Sequence, residues 1–237
     1  MLDRDHHTFT PIGVVRSPYQ EKFAIPRQPG LAMVDATIQL TPLYADPAAV
    51  AGLEQFSHLW VIFVFHAVER QRIGEWRPQV RPPRLGGNEK LGVFATRSTH
   101  RPNPVGLSVV ELLRIDTSGG VKLHIRGADL LDGTPVLDLK PYIPYADALP
   151  DARAGFAPSP PARLQVRWRA GALSAAQRHS AALQQIVEEV LSFDPRPAYQ
   201  DDPERIYGVL LDGCNVRFRI DGESVEIVEL AVDGIPR

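Results

Sequence analysis

Val34, Ala36, Ile38 and Leu40 alternate with Asp35, Thr37, Gln39 and Thr41. A period of two places one set on each face of an extended chain, so this stretch predicts a half-buried strand. Further short strands are predicted over Ile12–Arg16, Leu91–Ala95, Leu107–Ile115, Val121–Gly127 and Pro135–Leu139. His58–His66 (HLWVIFVFH) is a continuous apolar run and predicts a strand buried on both faces. Asp46-Pro47 predicts the capped start of a short helix ending at Leu53. Many short strands with little helix point to a sandwich or a barrel.

The pattern changes after Pro150–Pro161 (PDARAGFAPSPP), which breaks every periodicity and predicts a linker. Ser174 with Gln177 has the spacing of a capping box. Leu183, Ile186, Val187, Val190 and Leu191 then share one helical face. Three apolar runs follow, over Ile206–Leu211, Cys214–Ile220 and Ser224–Leu230. Asp212-Gly213 and Asp221-Gly222 sit between them and predict hairpin turns. The reading is one helix against a three-stranded meander, with domains over 1–155 and 162–237.

Composition narrows the function classes. The net charge of −2 excludes a uniformly basic nucleic-acid-binding molecule, so any attraction to phosphates must be local. Cys214 is the single cysteine, which fits a reducing compartment and a small core residue. The N-terminus, with His6-His7, lacks the apolar core of a signal peptide, and Leu59–Phe65 is too short to span a bilayer. A soluble cytoplasmic protein is expected. There is no GxGxxG, GxxxxGK[ST], CxxC or HExxH, so neither a Rossmann fingerprint, a P-loop nor a zinc site is expected.

The local charge is at Arg81–Ser108. Arg81, Arg84, Lys90, Arg97 and Arg101 stand there against one acid, Glu89, among four prolines and four glycines. Restricted backbone and planar cations together predict a rigid cationic platform for a ligand. Asn103, between Pro102 and Pro104, is held nearly fixed, and its amide suits a base edge or an adenine amino group. Pro26 and Pro29 stiffen a loop presenting Arg27 and Gln28, and His66 ends the long apolar run. Asp138, Lys140 and Tyr142 alternate with Leu137, Leu139 and Pro141, so they are predicted to share a face. Asp138 and Lys140 read equally as a weak salt bridge or as a proton acceptor beside a phosphate contact.

IGVVRSPYQEKFAIPRQPG (12–30), GLEQFSHLWVIFVFH (52–66), WRPQVRPPRLGG (76–87), LGVFATRSTHRPNPVGLS (91–108), DLLDGTPVLDLKPYIPYAD (129–147) and DPRPAY (194–199) together resemble the bacterial tRNA methyltransferase O family, also called TsaA-like or YaeB-like proteins. The resemblance covers nearly the whole chain; His66–Glu75 and Thr99-His100 are where it departs. It implies a mainly β N-terminal small β-barrel, without a Rossmann sheet, and a small α+β C-terminal domain that helps hold tRNA. It also implies S-adenosylmethionine as cofactor, a homodimer whose subunits complete each other's sites, and N6-methylation of threonylcarbamoyladenosine at position 37, in the tRNA anticodon loop.

Carried onto this chain, cofactor contacts are expected from Arg27, Gln28, Pro29, Phe65, His66, Arg97 and Leu107, and from the turn that starts at Asp129 and holds Leu130, Leu131, Asp132, Gly133 and Thr134. Arg16, Lys22, Arg77, Arg81, Arg84, Arg101 and Lys140 are the candidates for tRNA contacts. Arg84 or Arg101 is expected to read the threonyl carboxylate of the target as a bidentate fork. Asn103 and Asp138 are candidate acceptors for the N6 proton, with Asp138 the first choice of base and His66 the second. No metal and no membrane are expected. Two other readings compete: a non-catalytic RNA-binding barrel, and a methyltransferase of small molecules. Arg217 and Arg219, alternating outward on a hairpin strand, favour the larger substrate.

Overall fold

The computed structural model describes residues 7–68, 76–196, 200 and 202–232. His6, residues 69–75 and Pro197–Tyr199, which figure in the sequence reading, lie outside the described residues. The first strands are β1 (Gly13–Arg16), β2 (Asp35–Leu40), β3 (His58–Val64), the short pair β4 (Gln79–Val80) and β5 (Leu91–Gly92), β6 (Val105–Asp116), β7 (Lys122–Arg126) and β8 (Pro135–Pro141). Six of them close a barrel in the order β1-β2-β7-β6-β3-β8, every pair antiparallel. Closure leaves no unpaired edge, which is how a sheet of short strands protects its backbone groups.

The apolar run of β3 is not buried on both faces. Leu59, Val61 and Phe63 are buried, whereas Trp60, Ile62 and Val64 are only partly covered on the outside. Small-barrel geometry permits one filled interior, and the outer face is covered only in part, Trp60 by the Tyr142 ring at 5.9 Å and by Asp147, to which its indole donates at 3.0 Å. The predicted strand over Leu91–Ala95 stops at Gly92, because Val93–Ala95 turns into a 3-10 helix. The predicted short helix splits into Pro47–Val50 and Leu53–Gln55, and Asp46 does accept from the Ala48 amide. A single helical turn, α1 (Pro144–Asp147), follows the barrel.

The second half holds β9 (Gln165–Trp168), α2 (Ala170–His179), α3 (Ala181–Leu191), β10 (Tyr207–Leu211), β11 (Cys214–Asp221) and β12 (Ser224–Val232). Its sheet has four strands, not three, because β9 adds parallel to β12. There are also two helices where one was expected. Ser174 lies inside α2, so the Ser174–Gln177 spacing caps nothing. The cap that forms is Ser180, whose hydroxyl accepts from the Leu183 amide and starts α3. Leu183, Val187, Val190 and Leu191 bury the face predicted for that helix, and Cys214 is a core residue. Asp212 and Gly213 both take positive φ (50° and 73°), the conformation a tight right-twisted hairpin requires.

The two cores are not divided at the linker. Tyr19, Ala24, Ala32 and Val34, all from the first forty residues, pack into the same cluster as Val187, Phe218 and Leu211. Tyr19 bridges to Leu211, and Phe23 stacks on Tyr207 and Phe218 at 6.4 and 6.3 Å. The loop between β1 and β2 therefore rests on the C-terminal domain.

Candidate active site

That loop forms one wall of a cavity of about 710 Å³. Lys22 and Ile25–Pro29 line it on one side. Phe65 and His66, at the end of β3, line another, and Thr96, Arg97, Thr99 and Arg101 a third. The start of β6, from Val105 to Val109, and Asp129, Leu130, Leu131 and Thr134 line it as well, together with Trp60 and Phe63 of β3. The size is within the range of about 300–1,000 Å³ usual for cofactor sites, and the walls combine apolar surface with few polar groups.

Local chemistry holds each wall. Arg97 donates to Gln28 Oε1 at 2.6 Å, and Arg27 donates to the Arg196 carbonyl at 3.0 Å. Burial pulls the Arg27 guanidinium below its usual range, with Asp194 opposing that shift. On the C-terminal side, the amides of Leu210 and Gly213 donate to Glu21 and Gln20 at 2.9 and 2.8 Å. Gly106 is needed where it stands: a Cβ there would collide with the Phe63 ring, which itself packs edge-on to Phe65 at 5.1 Å.

Of the twelve residues expected at the cofactor, ten line this cavity. Asp132 and Gly133 do not line it. Asp132 instead accepts from the Ser17 amide at 3.1 Å and lies 3.8 Å from Arg16. These two residues hold the turn that presents Leu130, Leu131 and Thr134. Thr134 Oγ1 donates to the Leu131 carbonyl at 2.7 Å, which tightens the same turn.

The other expected residues divide. Lys22 and Arg101 reach the cavity, and Arg101 is oriented by the Thr96 and Ser98 carbonyls, each 3.2 Å away. Arg84 donates instead to the Ser159 carbonyl, and Arg16 faces Asp132. Arg77 and Arg81 lie outside the cavity, on an exposed ribbon. Asn103 is exposed and does not line the cavity; its carbonyl accepts from Val105. Asp138 and Lys140 share the outer face of β8 and pair at 2.9 Å, each about half exposed. Asp138 stands opposite Ile62 on β3, the strand whose Trp60 and Phe63 line the cavity, but Asp138 itself does not line it. Arg217 and Arg219 point outward but are matched by Glu229 and Glu226 at 2.7 and 2.6 Å, which cancels their pull on phosphates.

Asp129, the first residue of the turn expected at the cofactor, was given no role of its own by the sequence. It lines the cavity between buried Ala128 and Leu130 and accepts from Ser108 Oγ at 2.6 Å. Burial pushes its carboxyl above the usual range, against the pull of Ser108 and Arg97. A lone acid flanked by core residues was the available signal. Among the described residues no cluster of His, Cys, Asp and Glu could hold a metal, and no helix is long and apolar enough to cross a membrane.

Residues 14–148 match the model of the tRNA-methyltransferase O N-terminal domain, and 161–233 that of its C-terminal domain. The chain is 48% identical to the tRNA (adenine(37)-N6)-methyltransferase of Escherichia coli, over 94% of this chain and 97% of that one. It is 44% identical to a probable S-adenosyl-L-methionine-binding protein of Methanothermobacter thermautotrophicus, over 59% of this chain and 92% of that one. A crystal structure of TrmO from Pseudomonas aeruginosa superposes with a TM-score of 0.80 at 39% identity, covering 95% of this chain and 98% of that one. With a closed barrel and both domain models matched, the chain belongs to the tRNA-methyltransferase O family.

Proposed function

We propose that this protein is an S-adenosylmethionine-dependent methyltransferase that methylates N6 of threonylcarbamoyladenosine at position 37 of tRNA, acting as a homodimer. The observation that carries the reading is convergence: Arg27, Phe65, Arg97, Leu107 and Leu130, far apart in sequence, line one cavity. Relatives named as tRNA (adenine(37)-N6)-methyltransferases and as an S-adenosyl-L-methionine-binding protein supply the activity.

The cavity fits the cofactor chemically. Its apolar walls, Phe65, Leu107, Leu130 and Leu131, suit an adenine ring, and Arg27 and Arg97 suit a carboxylate. Asp129 suits a cationic centre that would compensate its buried charge. When bound, the cofactor supplies a methyl group already activated on a sulfonium.

The protein's own part is position and proton handling. Methyl transfer to N6 would require a residue of this chain to take up the N6 proton. His66 takes that role because it is exposed at the cavity rim, whereas Asp138 is held by Lys140 outside it. Arg101, already oriented at the cavity, reads the threonyl carboxylate in preference to Arg84. Val105 and Leu107, 41% and 55% exposed, leave the cavity open along β6, and this open side is where the second subunit would cover the site.

Mass spectrometry of nucleosides from tRNA carrying threonylcarbamoyladenosine, incubated with the protein and S-adenosylmethionine, tests the reading. A gain of one methyl on that nucleoside is expected. No gain, with tRNA binding intact, would favour a non-catalytic RNA-binding barrel.

A further inference from the structure

The ribbon of β4 and β5 pairs Gln79 with Gly92 and Val80 with Leu91, and the Val93 amide donates to the Pro78 carbonyl at 2.9 Å. The 3-10 turn that follows buries Val93 and turns Phe94 outward, leaving it 73% exposed. Trp76, 39% exposed, packs against it with ring centroids 6.0 Å apart and planes tilted by 40°. A single exposed aromatic is ordinary, but two packed together in water form a patch that marks a contact.

The surroundings say what kind of contact. Arg77, Arg81 and Lys90 lie on the same ribbon and make no ion pair with another described residue. Glu89 is the one acid between Arg77 and Arg101. The chain then runs from Phe94 directly into Thr96 and Arg97 of the cavity wall. A second copy of this chain seated there would set the same cations face to face. Flat apolar rings beside unpaired cations match an unpaired nucleotide, whose base has a π-face and whose backbone is anionic.

We propose that Trp76 and Phe94 form a stacking platform for an unpaired base of the substrate RNA, next to the nucleotide that enters the cavity, with Arg77, Arg81 and Lys90 on its phosphates. The proposal rests on the reading that the substrate is a tRNA anticodon loop. None of these five residues lines the cavity.

The test uses the full chain, a fluorescently labelled anticodon stem-loop, and separate titration of S-adenosylmethionine by calorimetry. Phe94→Leu and Trp76→Leu keep apolar bulk but remove the ring. Each is expected to weaken RNA binding roughly tenfold, within the range of base–aromatic stacking, while cofactor affinity stays unchanged. Phe94→Trp is expected to retain wild-type affinity. Arg77→Gln is expected to lower the salt dependence of RNA binding by about one unit of slope, which Phe94→Leu would not. Unchanged RNA affinity in both Leu variants overturns the platform alone. So does a change of oligomeric state in sedimentation, which would make the patch a subunit contact. A wild-type protein that fails to bind the stem-loop overturns the functional reading and the platform with it.

Discussion

Arg97 donates to Gln28 Oε1 at 2.6 Å across 69 residues of sequence. The contact joins the cationic segment before β6 to the loop between β1 and β2, two walls of the cavity that share no strand pairing. Both partners are near solvent, so the bond is modest for the fold and larger for the site. Gln28→Ala is expected to weaken S-adenosylmethionine binding roughly fivefold, in the range of a single charge-assisted bond. Calorimetric titration with an unchanged melting temperature would separate that from unfolding.

Phe23 ties the same loop to the C-terminal sheet through Tyr207 and Phe218. Phe23→Ala removes two stacked contacts worth about 0.5–1.5 kcal/mol each. Cofactor affinity should fall although Phe23 does not line the cavity, because Lys22 and Ile25–Pro29 lose their support. Wild-type affinity in this variant would show that the loop holds itself.

Asp129 carries a sign that can be checked. Its folded-state pKa is raised, chiefly by burial, so the stability it contributes is present below the unfolded value of about 3.9 and is lost as pH rises through the folded value. Asp129→Asn should therefore gain in melting temperature relative to wild type as pH increases from about 4 to 7. The same variant should bind the cationic cofactor more weakly at pH 7. A melting difference independent of pH would mean that Asp129 does not titrate in this window.

Gly106→Ala tests the close approach of β6 to Phe63. The added methyl would meet the ring itself. Phe63 is buried in the barrel core, so any shift of its ring disturbs that packing. A loss of about 1–3 kcal/mol is expected in denaturant titration, from overpacking. A neutral substitution would mean the ring has room to shift.

His66 and Asp138 can be told apart by turnover. His66→Ala should lower kcat about a hundredfold at saturating cofactor, the usual scale for losing a positioned base. Asp138→Ala should leave kcat within a few-fold, since its partner is Lys140 on the outer face. The reverse ranking would return the base to Asp138, acting from outside its own subunit's cavity.

Much was legible without coordinates. Alternation of Val34 to Leu40 marked β2, Asp212-Gly213 marked a hairpin, and the apolar face of Leu183 to Leu191 marked α3. The long motifs led to the family and to ten of the cavity residues. Each of these signals is local: periodicity, turn chemistry, or contiguous sequence.

What the sequence did not carry was relational. Helix α2 buries only Ala172 and Ala176, too slight a stripe to register, and β9 has four residues, so both needed β12 to exist. Asp138 and Asp129 are both acids near apolar residues, and the side on which each lies follows from the register of β8 and the closure of the barrel. Composition and pattern determined a strand-rich chain with a cationic segment and a family. Tertiary packing alone decided that the C-terminal domain supports the cofactor loop, and which carboxylate faces the cavity. Burial and proximity are properties of chains brought together, and no window along one chain contains them.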